Sequence, residues 1–153
     1  MRSAGAVRQH GAMGFLSAAS CLRVPVRMHD IQLGWPTDLL VDIATWKALG
    51  FVVRCGDDSV RFLPYAAAQP SGDEIAVASP LVLLEDVGFY ATRGLAFRTL
   101  VGCEVGRDDR VAGVLRDLII RAGTIEEIEV ESGGVLHRVP AVSSTVAAER
   151  AAA

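Results

Sequence analysis

Short runs of alternating apolar and polar positions, each closed by a turn residue, dominate this chain. Leu39, Val41 and Ile43 alternate with Leu40 and Asp42, a period of two that gives a strand one thoroughly apolar face. Ala48–Cys55 follows as a second strand, rich in the β-branched and aromatic residues that suit a pleated sheet. Gly56, Asp57 and Asp58 then make a turn, because Gly and Asp tolerate the backbone angles turns need. Val60–Leu63 returns as a third strand and stops at Pro64, which has no N–H for a central ladder. Further on, Val111–Ile120, Ile125–Glu131 and Val135–Val139 are expected strands, with turns at Arg121–Gly123 and Ser132–Gly134 and a closing Pro140.

The second set of strands echoes the first. Laying Val26–Thr45 on Val105–Thr124, a shift of 79 positions, brings six identities into twenty places. They are Val26 on Val105, Asp30 on Asp109, Gly34 on Gly113, Asp38 on Asp117, Leu39 on Leu118 and Thr45 on Thr124. Leu16 and Leu95 match at the same shift, and after a three-residue deletion Pro64 falls on Pro140. A missed repeat mis-assigns a whole architecture, and here it divides the chain. Residues 1–13 read as a flexible N-terminus, 14–66 as a first repeat, 67–93 as a connector and 94–142 as a second repeat. The Ala-rich tail, 143–153, is expected to be a frayed helix or disordered. Within the connector Glu74–Ser79 reads as a strand. Pro80–Tyr90 either begins a helix, with Ser79 as N-cap and Pro80 in the first turn, or extends as a strand through Leu81, Leu83 and Glu85. A short helical turn near Glu85–Thr92 is favoured. A copy of about 50 residues buries little core alone, so the copies should pack on each other about a pseudo-twofold axis or pair with a second chain as a homodimer.

Composition narrows the function classes. Of 153 residues 51% are hydrophobic and 22% charged, which supports a packed core and excludes wholesale disorder. No apolar run approaches the ~20 residues that a membrane helix needs. The formal charge of −3 argues against direct nucleic-acid binding through phosphates, although Arg2, Arg8, Arg23 and Arg27 make the first 27 residues basic. Cys21, Cys55 and Cys103 are odd in number and far apart, so they form neither a disulfide framework nor a zinc knuckle. The apolar stretch Gly11–Ala19 is a weak match to a secretory h-region, and a cytoplasmic location is expected.

Three stretches of the first copy, Gly34–Asp42 (GWPTDLLVD), Ala48–Arg54 (ALGFVVR) and Arg61–Pro64 (RFLP), resemble the PRC-barrel family. The second copy carries the resemblance through Leu100–Val105, Gly113–Leu118 and Arg138–Pro140. It covers about residues 15–65 and 94–141, most of the chain, and its motifs are structural rather than catalytic. It implies an all-β fold of two tandem small barrels. Relatives in the family include the cytoplasmic domain of the photosynthetic reaction-centre H subunit and the C-terminal domain of the ribosome maturation factor RimM, where the module mediates protein contacts. Arg23 stands where the motif has Gly, so the turn leading into the first copy is expected to differ.

Candidate chemistry is sparse. His10, His29 and His137 are scattered, and no Ser or Cys sits in a nucleophile context. His29-Asp30 and its match Asp108-Asp109 read as hairpin turns rather than as a metal site. Asp38 and Asp117 head the matched apolar strands, either as paired carboxylates near the symmetry axis or as acceptors of backbone or arginine hydrogen bonds. Glu126, Glu127, Glu129 and Glu131 form an acidic docking face or guard a sheet edge. Val87–Arg98 mixes Phe89, Tyr90 and Phe97 with Arg93 and Arg98, a composition suited to packing the copies together, to a protein interface or to stacking on single-stranded nucleic acid. Phe89, Tyr90, Arg93, Phe97 and Arg98 are therefore the candidate interface. Gly34, Asp38, Pro64, Gly113, Asp117 and Pro140 are repeat-matched structural positions. No catalytic residue, cofactor or metal is expected. The expected function is a non-catalytic interaction or scaffold module with a protein partner. An accessory role in ribosome or RNP assembly and a small-molecule site in an inter-barrel cleft are the alternatives.

Overall fold

A computed structural model describes residues 14–148. The flexible N-terminus expected over 1–13 and tail residues 149–153 lie outside the described residues. The chain is mostly β, and its strands join into one curled, half-barrel sheet. β1 (Leu16–Ser17) runs into a one-turn helix, α1 (Ala18–Cys21). β2 (Val26–Met28), β3 (Ile31–Asp42), β4 (Lys47–Cys55) and β5 (Val60–Pro64) then form an antiparallel meander. The connector holds β6 (Gln69–Pro70), β7 (Ile75–Ala76), a 3-10 turn at Pro80–Val82 and a short helix, α2 (Val87–Ala91). The same order then returns as β8 (Leu95–Ala96), α3 (Phe97–Leu100), β9 (Glu104–Arg107), β10 (Arg110–Arg121), β11 (Thr124–Ser132) and β12 (Val135–Pro140). β13 (Ser144–Val146) closes against β9.

Local chemistry explains most boundaries. Asp57 Oδ1 takes the N–H of Ser59 at 3.0 Å and closes the β4–β5 turn. In the connector both alternatives are used in part: a 3-10 turn at Pro80–Val82 and the helix at Val87–Ala91 flank an extended stretch in which Leu84 pairs with Phe62 of β5. Ser79 Oγ accepts the Leu81 N–H at 3.0 Å, Pro80 fills the first position, and Asp86 caps α2 through the Phe89 N–H. His29 and Asp108 lie in the β2–β3 and β9–β10 turns with φ of 56° and 51°.

Two expectations need correction. The alternation through Leu39–Ile43 is broken by a register shift between Leu40 and Val41, so Leu39, Leu40 and Val41 are all buried, and Ile43 lies past the strand. The strand itself begins at Ile31, in a stretch whose polar residues and Pro36 conceal it. The tail is neither helix nor disordered over 144–146. It pairs with β9 from Ser144↔Arg107 to Val146↔Val105, because that edge otherwise leaves backbone groups unpaired. Ser144 Oγ donates to the Pro140 carbonyl at 2.7 Å, and the Arg107 guanidinium donates to the same oxygen at 2.9 Å.

Elements 79, 77 or 76 positions apart make matching contacts. β3 and β4 shift register between Pro36 and Asp38 and between Leu40 and Val41; β10 and β11 shift between Leu115 and Asp117 and between Ile119 and Ile120. At Gly34 an added Cβ would press on the Arg54 carbonyl oxygen, and at Gly113 it would lie 2.6 Å from that of Glu131. Pro64 ends β5 opposite Gly50, and Pro140 ends β12 opposite Glu127. The turns before the long hairpins do differ. Arg23 N–H returns to Ser20, whereas Gly102, at φ 96°, gives its N–H to Leu115.

The two sets of strands are also laced together. β1 pairs with β10 through Leu16↔Ile120, and β8 pairs with β3 through Val41↔Leu95. Asp117 Oδ1 accepts the Ala19 N–H in α1 at 3.0 Å, and Asp38 Oδ1 accepts the Arg98 N–H in α3 at 3.1 Å. Each carboxylate thereby satisfies an orphan donor at the start of the other set's helix. In the middle Lys47 pairs with Thr124, the Ala48 N–H bonds Gly123, and the Ile125 N–H bonds Trp46. One core results, with Leu39, Val41, Phe51 and Leu63 buried in the same cluster as Leu115, Leu118, Ile120 and Ile128.

Candidate functional site

Cross-strand register builds an exposed face on the side of β3–β5 away from this core. Trp35 lies opposite Arg54, and Arg54 opposite Val60, so the three side chains form one row. Two residues beyond Val60 on the same face stands Phe62, buried but outside the core cluster. Its ring stacks on Tyr90 at 4.1 Å and 7°. Tyr90 reaches it because the connector crosses β5 here. Phe62 exchanges backbone hydrogen bonds with Leu84 at 2.7 and 2.8 Å, Arg61 meets Glu85 at 3.4 Å, and α2 follows at once. α2 turns Phe89 outward, edge-on to Tyr90 at 5.0 Å. The Arg93 guanidinium lies 3.6 Å over the Phe89 ring and donates to the Phe89 carbonyl at 3.0 Å. Trp35 and Phe89 are each 45% exposed. Among the described residues Arg54 and Arg93 form no ion pair.

The corresponding face of β10–β12 is different. Val114, Glu131 and Leu136 form the matching row, and the charges around it are neutralised. Arg116 binds Glu131 at 2.8 Å, Arg121 binds Glu126 at 3.3 Å, and Arg138 lies 3.7 Å from both Glu127 and Glu129. The glutamates of β11 are therefore not an unopposed acidic face. Nor do they guard an edge, since β11 lies between β10 and β12. Arginines on the neighbouring strands account for the first difference and the pairing order for the second, and neither is visible to a reading along one strand.

The sequence-expected interface residues divide. Phe97 is buried in the core, and Arg98 is committed to β3, with its Nε donating to the Thr37 carbonyl at 2.6 Å. Tyr90 is half-buried on Phe62, while Phe89 and Arg93 remain exposed. Trp35, Arg54 and Val60 were not singled out by sequence. The signal for them is a tryptophan in the solvent phase of a period-2 pattern over residues 34–37, which Pro36 conceals.

Other chemistry is limited. A groove of about 580 Å³ runs between the connector and the β10–β11 turn, lined by Tyr65, Gln69, Ser71, Glu74, Leu16 and Ala122 among others. Burial, and then the neighbouring Cys21, push the Tyr65 phenol above its ordinary range. Burial, and then the Asp117 carboxylate, push the Cys21 thiol up to about 12, so it stays protonated at neutral pH. Among the described residues no group of three or more His, Cys, Asp or Glu side chains is placed to hold a metal ion. No helix among them is long and apolar enough to cross a membrane. Neither a protein-family model nor a curated protein matches this chain.

Proposed function

We propose that this chain is a non-catalytic, cytoplasmic protein-interaction module built from two PRC-barrel-like copies related by a pseudo-twofold axis near Lys47 and Thr124. Matched register shifts, matched glycine contacts and reciprocal Asp38–Arg98 and Asp117–Ala19 hydrogen bonds support the two-copy reading. One observation carries the function: the first copy bears an aromatic face whose Arg54 and Arg93 form no ion pair among the described residues, where the second copy's face is internally neutralised. Aromatic residues and arginine dominate the binding energy of protein interfaces. The face suits a protein segment that offers a carboxylate to Arg54 or Arg93 and an apolar anchor to Trp35 and Phe89. Single-stranded nucleic acid also uses aromatic platforms, but the net charge of −3 favours a protein.

The test is affinity capture from the native host at moderate salt, comparing wild type with a Trp35→Ala/Arg93→Glu double variant. The expected result is a defined partner retained by wild type and lost by the variant, with both proteins melting alike. Ribosomal proteins in that role would make the module an assembly accessory. A partner retained equally by the variant, or none at all, overturns the reading.

A further inference from the structure

Among the described residues β12 pairs with β11 alone, in unbroken register from Glu127↔Pro140 to Ser132↔Val135. Five of its six residues are exposed, Val135 at 63% and Leu136 at 56%. The Ala141 N–H donates to the Glu126 carbonyl. In the alternating antiparallel ladder the odd-numbered residues therefore face β11, and Leu136 and Arg138 turn their N–H and C=O groups outward. The matching strand of the first copy is not open. There Phe62, at the place of Arg138, exchanges both backbone bonds with Leu84 and lies under Tyr90. Sheet edges are ordinarily blunted by lysine, proline, a bulge, charge or a cover. Between Val135 and Val139 the described structure shows no lysine, proline, bulge or cover, and the one charge, Arg138, is neutralised by Glu127 and Glu129.

We propose that β12 docks a second copy of this chain, strand to strand and antiparallel, about a twofold axis at His137. Self-complementarity selects that partner and register. Leu136 and the partner's Arg138 exchange both backbone bonds, as do Arg138 and the partner's Leu136. Val135 covers the partner's Val139, and Leu136 covers the aliphatic stem of the partner's Arg138. Each Arg138 then lies between its own Glu129 and the partner's Glu131. An axis at Arg138 would set like charges directly opposite, which is destabilising. An axis at Leu136 would leave Val139 without a partner. The edge belongs to the second copy, and the inference does not depend on the aromatic face of the first.

Sedimentation velocity on the full chain, from about 1 μM to about 1 mM, tests it. Wild type should move with concentration from 16.2 kDa towards twice that mass. Leu136→Pro removes an outward N–H that no described residue accepts, and should weaken association ~10-fold or more with an unchanged β spectrum. Leu136→Lys leaves the backbone intact and should act in the same direction. A wild type that stays monomeric throughout overturns the proposal. So does a dimer unmoved by both variants, or one lost with Trp35→Ala instead.

Discussion

Asp38 and Asp117 offer the sharpest test of how the two sets of strands are joined. Asp117 Oδ1 accepts from Ala19 at 3.0 Å and Leu118 at 2.8 Å; Asp38 Oδ1 accepts from Arg98 at 3.1 Å and Leu39 at 2.9 Å. Hydrogen bonds to an ionised acceptor contribute about 1.5–3 kcal/mol each when well buried. Both carboxylates are half-exposed, so water recovers part of the loss, and truncated helix caps cost about 1–2 kcal/mol. Asp38→Ala and Asp117→Ala should therefore each destabilise by about 2 kcal/mol. For a chain of this size that lowers Tm by about 4–8 °C, read by thermal circular dichroism. Asn keeps the acceptor oxygen and loses only the charge, so it should cost about half as much. Because each carboxylate ties one set of strands to the other, every variant should retain a single transition, and the double Ala variant should lose about 4 kcal/mol. A loss below about 0.5 kcal/mol at either site, Asn as damaging as Ala, or two separate transitions would refute the exchanged-cap argument.

Alkaline pH should destabilise the fold. The Cys21 thiol, raised from 9.0 to about 12 in the folded chain, is protonated in both states below pH 9. Above that the unfolded chain loses its proton first, so stability falls as pH rises from about 9 to about 12. Tyr65, also raised, acts in the same direction. Urea midpoints at about pH 8 and about pH 10.5 should show the loss, and Cys21→Ala should make it shallower; an unchanged slope would rule the thiol out. Cutting the connector gives fragments 14–93 and 94–148, each lacking the β-strand and helix with which the other completes its sheet. Neither should melt cooperatively alone, and mixing should restore the β signal. A folded, monomeric 94–148 would contradict this.

The likeness between the two sets of strands is legible because its identities mark positions where geometry leaves little choice. Gly34 and Gly113 face a carbonyl across the hairpin, and Asp38 and Asp117 bond the backbone of the next residue. The long strands were legible through their period, although register shifts spoiled the alternation near Leu40. β1, α1, β8 and α3 went unnoticed, since two to four residues carry no measurable period. Trp35 and Arg54 went unnoticed as a pair because they are neighbours only across a hairpin.

The amino-acid sequence by itself determined the bodies of β4, β5, β10, β11 and β12 and the turns between them, and it carries the matched identities 79 positions apart. Those signals act over a few residues: alternation, glycine, proline and aspartate. Tertiary structure alone decided that β1 and α1 join β10 and that β8 and α3 join β3. It also decided that the glutamates of β11 are spent on arginines, and that one hairpin edge is covered while the other is open. Contacts such as Ala19 with Asp117, 98 positions apart, leave no local pattern in the chain, because only closure of the sheet brings them together.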